Sequence, residues 1–66
     1  MEIKVGNVYK NRAGLNVFVY YKSPVRNCFD CVVVGENTLI YSVEENGKYN
    51  NYLDDVSQND LIELVK

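Results

Sequence analysis

Hydrophobic and polar residues alternate along most of the chain in short runs, and most of these runs end at a turn that contains glycine or asparagine. A period of two predicts β-strands rather than helices. The first run covers residues 3–10, where Gly6 marks a bend or bulge that can divide it into two short strands. A chain reversal follows, because Gly14 suits a positive-φ turn position and the side chain of Asn11 can bond to nearby backbone.

The second predicted strand, residues 15–21, is apolar on both faces. Val17 and Val19 belong to the face that should join the core, whereas Phe18 and Tyr20 lie on the other face. A strand that is apolar on both faces must be covered on each side or lie partly open. The only proline of the chain then ends the strand in a loop.

The third predicted strand, residues 28–34, has faces of unequal polarity. One face carries Phe29, Cys31 and Val33, and the other carries Asp30. A carboxylate buried without a partner is strongly unfavourable, so we assign the Phe29 face to the core.

The fourth run places Leu39, Tyr41 and Val43 on one face and ends at Asn46-Gly47. Asn-Gly adopts positive φ at both central turn positions with little strain. We therefore predict a β-hairpin whose second strand begins at Lys48.

The last segment allows two interpretations. Ser57 and Asp60 have the spacing of a capping box, which would begin a short helix over residues 61–65. Alternatively, a single 3₁₀ or helical turn at residues 57–60 leads into a final strand. We favour the turn and strand, because the segment is short even for a packed helix.

These elements predict one all-β domain, residues 1–66, built as a small barrel or strongly bent sheet of about five short antiparallel strands. Sixty-six residues support only a small core, although the hydrophobic fraction of 47% is that of a globular protein. The predicted core consists of Val17, Val19, Phe29, Cys31, Val33, Leu39, Tyr41, Val43 and Leu61.

Charge is distributed unevenly along the chain. Residues 1–26 hold five basic residues and one acid, a net charge of +4, whereas residues 27–66 have a net charge of −6. Such asymmetry either creates patches that steer partners or disappears when antiparallel strands bring the two halves together.

Cys28-Phe29-Asp30-Cys31 has Cys-x-x-Cys spacing, which occurs in zinc and redox sites. On a strand, however, positions i and i+3 lie on opposite faces, and the chain has no other cysteine and no histidine to complete a zinc site. We interpret both cysteines as structural, with metal binding and redox chemistry as the alternatives, and expect no cofactor and no metal.

Catalysis is not expected. Without histidine the chain lacks the usual general base near neutral pH, and its four glycines are scattered rather than gathered in a phosphate-binding loop. The acidic pairs Glu44-Glu45 and Asp54-Asp55 read as solvated turn residues.

The chain contains no 18-residue apolar run and no signal-peptide pattern at its start. We therefore expect a cytoplasmic protein that does not span a membrane and keeps its thiols reduced.

Two binding functions remain. Six tyrosines and two phenylalanines suit a protein-binding face, since aromatic residues and arginine are enriched at interface hot spots. Candidates for it are Arg12, Phe18, Tyr20, Tyr49 and Tyr52, and the partner is a different protein or a second copy. The alternative is a nucleic-acid-binding barrel, with bases stacked on aromatics inside a basic groove. Its candidates are Lys10, Arg12, Lys22 and Arg26, although the acidic remainder of the chain argues against it.

Three short motifs resemble small phage- and prophage-encoded accessory proteins: Tyr9 to Gly14, the Tyr41-Ser42 strand leading to Gly47-Lys48-Tyr49, and Ser57 to Ile62. Ala13 departs from that pattern, which more often has a polar residue there. The resemblance implies an SH3-like β-barrel and an accessory protein that occupies a host protein in the host cytoplasm. This implication favours protein binding over catalysis.

Overall fold

A computed structural model of the protein describes residues 2–49 and 56–65. Its five antiparallel strands form one sheet in the order β4-β3-β2-β1-β5, which confirms the predicted all-β fold. The strands are β1 (Val8–Asn11), β2 (Asn16–Lys22), β3 (Cys28–Val33), β4 (Glu36–Glu44) and β5 (Leu61–Leu64). The first four form a meander, and β5 returns to pair with β1. The described strands make an open sheet with β4 and β5 at its edges, not a closed barrel.

One face of the sheet, the inner face, carries the hydrophobic core. Seven of the nine predicted core residues are buried there, and Tyr41 packs against them half-buried. Leu39 is a wrong prediction, because its side chain is 50% exposed. The strand register explains the error: Val32 lies opposite Ile40 but Val33 lies opposite Glu36, so β4 has additional residues at this point. Such a bulge breaks the alternation on which the prediction rested.

The core also contains residues that the alternation did not reveal. Tyr9 in β1 is fully buried, and its hydroxyl accepts a hydrogen bond from the Lys4 backbone N–H at 2.9 Å and donates one to the Glu2 carbonyl at 3.2 Å. Ile3 is buried as well, although residues 2–7 form a turn-containing segment and not the predicted strand. A tyrosine hydroxyl thus fixes the N-terminal segment against the core.

The turn before β2 forms as predicted. The Gly14 N–H donates to the Asn11 carbonyl at 2.9 Å, and the Asn11 side-chain oxygen accepts from the Leu15 N–H at 2.9 Å. Asn11 therefore closes the β1–β2 turn through both its backbone and its side chain.

The turn after β4 differs from the prediction by one position. The Gly47 N–H donates to the Glu44 carbonyl at 2.8 Å, so Glu45 and Asn46 occupy the central positions and Gly47 follows them at φ +89°. Lys48 and Tyr49 are not part of a strand, and the remainder of the predicted second hairpin strand lies outside the described residues.

The final segment confirms the preferred interpretation of a turn and strand. The Asp60 carboxylate accepts a hydrogen bond from the Ser57 backbone N–H at 3.0 Å, as in a capping box, and the Asp60 N–H donates to the Ser57 carbonyl at 3.1 Å. The chain continues from this turn directly into β5. The capping-box contact therefore stabilises a turn in this protein instead of starting a helix.

Candidate functional site

The second face of the sheet, the outer face, carries a row of apolar side chains across four strands. Val8 in β1 lies opposite Phe18 in β2, Phe18 lies opposite Val32 in β3, and Val32 lies opposite Ile40 in β4. Phe18 is 37% exposed and Ile40 is 56% exposed, whereas Val8 and Val32 are half-buried. The sequence left open whether the Phe18 face is covered or partly open, and the structure shows it partly open.

A bulge in β2 adds aromatic side chains beside this row. Val19 lies opposite Cys31 and Tyr21 lies opposite Asp30, so Tyr20 is an additional residue between the two pairs. The register change moves Tyr21 onto the outer face, next to the exposed Tyr20. It also moves Lys22 to the inner face, where its Nζ lies 5.7 Å from the centre of the Phe29 ring.

A depression of about 280 Å³ lies at one end of the outer face. The loop between β2 and β3 forms its wall, and the sheet residues Tyr21, Cys28, Asp30 and Ser42 contribute to its lining. The Ser42 hydroxyl donates to the Asp30 carboxylate at 2.6 Å. Arg26 lines the depression from the loop.

Asp30 is a half-buried carboxylate that lines the depression. The ion pairs within the described residues are Lys4–Glu2 and Arg12–Asp60, so Asp30 has no counter-ion in this part of the chain although it is half-buried. A half-buried carboxylate with one hydroxyl donor is better matched to a cation than to water alone.

A second cluster, the Asp60 network, lies where the β1–β2 turn meets the start of β5. The Asp60 carboxylate accepts hydrogen bonds from the backbone N–H groups of Tyr49 at 2.8 Å and Ser57 at 3.0 Å, and its Oδ2 lies 3.5 Å from Arg12 Nη2. Burial raises the pKa of Asp60, but these donors and the charge of Arg12 outweigh it, and the pKa lies below its ordinary value.

The Asp60 network continues into the core. The Asn11 side-chain amide donates to the Tyr41 hydroxyl at 3.5 Å, and the Tyr41 and Tyr49 rings pack edge to face with centroids 5.5 Å apart. Burial raises the pKa of Tyr41, and the hydrogen bond from Asn11 offsets part of that increase. These contacts of Asp60 and Tyr41 are all with other groups of the chain, so we interpret this network as structural.

The residues predicted to bind a protein partner therefore fall into two groups. Phe18 and Tyr20 lie on β2, and Phe18 belongs to the outer-face row. Arg12 and Tyr49 belong to the Asp60 network. Tyr52 lies outside the described residues. Sequence reasoning missed Val8, Val32 and Ile40, whose alignment depends on strand register.

The residues predicted to bind nucleic acid lie at two ends of β2. Lys10 and Arg12 are near the β1–β2 turn, whereas Lys22 and Arg26 border the loop that follows β2. Six strand steps separate these ends by roughly 20 Å. Arg12 also contacts Asp60 and the Ser57 carbonyl, so one of the four cations is already engaged. They form no single basic groove.

The two cysteines are both buried and are not bonded to each other. Cys31 lies on the inner face, where its thiol donates to the Tyr41 carbonyl at 3.2 Å, while Cys28 lines the depression on the outer face. Burial, followed by the charge of Asp30, raises the pKa of Cys31 to about 12. Cys31 is therefore a protonated packing residue at neutral pH.

Within residues 2–49 and 56–65, no three His, Cys, Asp or Glu side chains are grouped closely enough to hold a metal ion. The same residues include no helix of the length and apolar character needed to cross a bilayer.

A scan against protein-family models and searches of curated proteins and solved structures found no match to this chain.

Proposed function

We propose that this protein is a non-catalytic binding protein whose outer face docks onto another protein. The apolar row Val8, Phe18, Val32 and Ile40, which crosses four strands and is exposed at Phe18 and Ile40, is the observation that supports this proposal. Contiguous exposed apolar surface of this kind is characteristic of interaction sites, and Phe and Tyr beside it are typical of interface hot spots.

The resemblance to small phage and prophage accessory proteins suggests the class of partner. In this proposal the protein acts in the host cytoplasm, where it occupies and inhibits a host protein. A chain with so small a core is better suited to blocking a surface than to building a catalytic site.

Affinity capture with matched variants tests the proposal. The immobilised protein is exposed to a bacterial lysate, and retained proteins are identified by mass spectrometry and compared with those retained by the double variant Phe18→Ser/Tyr20→Ser. We expect the variant to remain folded, because both side chains are partly exposed, and to lose the specific partner. Circular dichroism checks the fold.

The control is Val56→Ser, which removes a smaller but more exposed apolar side chain next to Ser57 of the Asp60 network. This variant should retain the partner. If the Phe18/Tyr20 variant binds as well as the unaltered protein, or if Val56→Ser is the one that loses binding, the outer face is not the docking surface. If the double variant unfolds, the single variant Tyr20→Ser gives the same comparison at a more exposed position.

A further inference from the structure

We infer that the outer face binds an amphipathic helix of the partner and that a basic side chain of this helix enters the depression beside Asp30. This inference rests on the proposed function, because it specifies what binds to the same face. Three features support it: the hydrogen bonding of the sheet, the dimensions of the face and its charge.

The interior strands offer no backbone hydrogen bonds to a partner. β1, β2 and β3 are each paired on both sides, so their N–H and C=O groups are directed at neighbouring strands. An extended peptide lying on this face would leave its own backbone groups facing apolar side chains. A helix satisfies its backbone internally and presents only side chains, so it is the secondary structure that suits this surface.

The size of the face matches a helix of about three turns. Four strands at the usual spacing span roughly 14 Å, and the seven residues of β2 extend roughly 20 Å, which gives an area of roughly 300 Å². A helix of three turns is about 16 Å long and about 10 Å wide, so it covers the row.

The charges of the face select a basic helix. Asp30, Glu44 and Glu63 lie at outer-face positions, and Lys10 is the only base there among the described strands. Lys10 is opposite Glu63, whereas Asp30 lines the depression and Glu44 lies opposite the lining residue Cys28. A Lys or Arg side chain from the helix would supply the counter-ion that Asp30 lacks in the described structure.

Three synthetic peptides test the inference. The first is a 14-residue amphipathic helix of Leu, Ala and Lys, the second has Glu in place of Lys, and the third has the composition of the first with a central Pro that prevents the helix. Each is titrated into ¹⁵N-labelled protein and followed by NMR. We expect only the Lys helix to bind with measurable affinity, and to shift the amide signals of Phe18, Val32 and Ile40.

Protein variants test the role of the carboxylate. Asp30→Asn retains an oxygen that can accept from Ser42 but removes the charge, and should weaken binding of the Lys helix about fivefold, as for a partly buried ion pair. Glu45→Gln, at an exposed turn position, should change nothing. Arg26→Gln should strengthen binding, because it removes a competing cation from the wall of the depression.

Several results would overturn the inference: equal binding of the Lys and Glu helices, equal binding of the Pro peptide, an unchanged affinity for Asp30→Asn, or signal shifts confined to the Asp60 network. Sedimentation equilibrium that shows a dimer dissociated by Phe18→Ser would assign the face to a second copy instead.

If the captured partner is lost with Phe18→Ser/Tyr20→Ser but Asp30→Asn has no effect, only the helix inference fails. If capture is insensitive to the double variant, the proposed function fails as well.

Discussion

Asp60 is the buried charge that connects separate parts of the chain. Its side chain is almost completely enclosed, and its carboxylate is held by two backbone N–H groups and by Arg12. Because these donors lower its pKa below the value of an unfolded chain, the ionised carboxylate stabilises the fold above about pH 4. That contribution is lost as the pH falls through the lowered pKa of the folded state.

Replacement of Asp60 by Asn should therefore destabilise the protein at neutral pH. An amide group in place of one carboxylate oxygen would face the Ser57 N–H or the Tyr49 N–H, so we expect the free energy of unfolding at pH 7 to fall by about 1–3 kcal/mol. The difference from the unaltered protein should narrow as the pH is lowered from 7 to below about 4. Urea denaturation across this range measures both effects, with Glu45→Gln as control. A stability difference independent of pH would contradict this role of the carboxylate.

At the scale of elements, the two hairpin glycines have the same conformation in different surroundings. Gly14 has φ +90° and Gly47 has φ +89°. A Cβ added at Gly14 meets nothing within 4 Å, whereas one added at Gly47 would lie 2.9 Å from the carbonyl oxygen of Leu61. The Gly47 carbonyl also accepts from the Leu61 N–H at 2.8 Å, so this turn packs directly against β5.

The two alanine variants consequently separate backbone strain from steric overlap. Gly14→Ala should cost about 1–2 kcal/mol of stability, the penalty of a left-handed conformation. Gly47→Ala should cost about 1–3 kcal/mol more, because a backbone atom of β5 has to move. Urea unfolding of both variants under the same conditions checks the difference. Equal losses would mean that β5 moves away from the turn without penalty.

Alternation was sufficient to predict β2, β3 and β4 but not their bulges. The buried Val17, Val19 and Phe29 could be assigned because each continues an unbroken period of two within its own strand. Leu39 and Tyr21 could not be assigned in this way. A bulge in β4 and another in β2 change which face of the sheet the residues there lie on. Nothing in a single strand records an additional residue relative to its neighbour.

The candidate site, like the strands, could be predicted from the sequence only in part. Phe18 and Tyr20 could be found from the apolar second face of one strand, whereas the row that Phe18 joins requires the register of four strands. Tyr49 carried the same aromatic signal, but its backbone N–H donates to Asp60 and its ring packs against Tyr41, which places it in a structural network. Composition therefore identified candidate residue types, and topology decided which of them share a surface.

For the whole molecule, the fold mixes the charges that the sequence separates. Pairing of β1 with β5 places Lys10 opposite Glu63, and Arg12 forms an ion pair with Asp60. The basic first part of the chain is thus partly neutralised by the acidic last part. The remaining cations near the β2–β3 loop are too few to follow a phosphate backbone, because affinity for nucleic acid depends on the number of phosphates neutralised.

We accordingly expect weak binding to nucleic acid. A fluorescent 20-nucleotide single strand should bind with a Kd weaker than about 10⁻⁴ M at physiological salt, the weak limit of non-specific binding. The variant Asp30→Lys/Glu63→Lys supplies the control, because it replaces two outer-face acids by bases and should gain salt-dependent affinity. Fluorescence anisotropy at two salt concentrations measures both proteins. Tight binding by the unaltered chain that weakens steeply as the salt concentration rises would instead favour the nucleic-acid function. It would mean that Lys10, Lys22 and Arg26 act together despite their separation along β2.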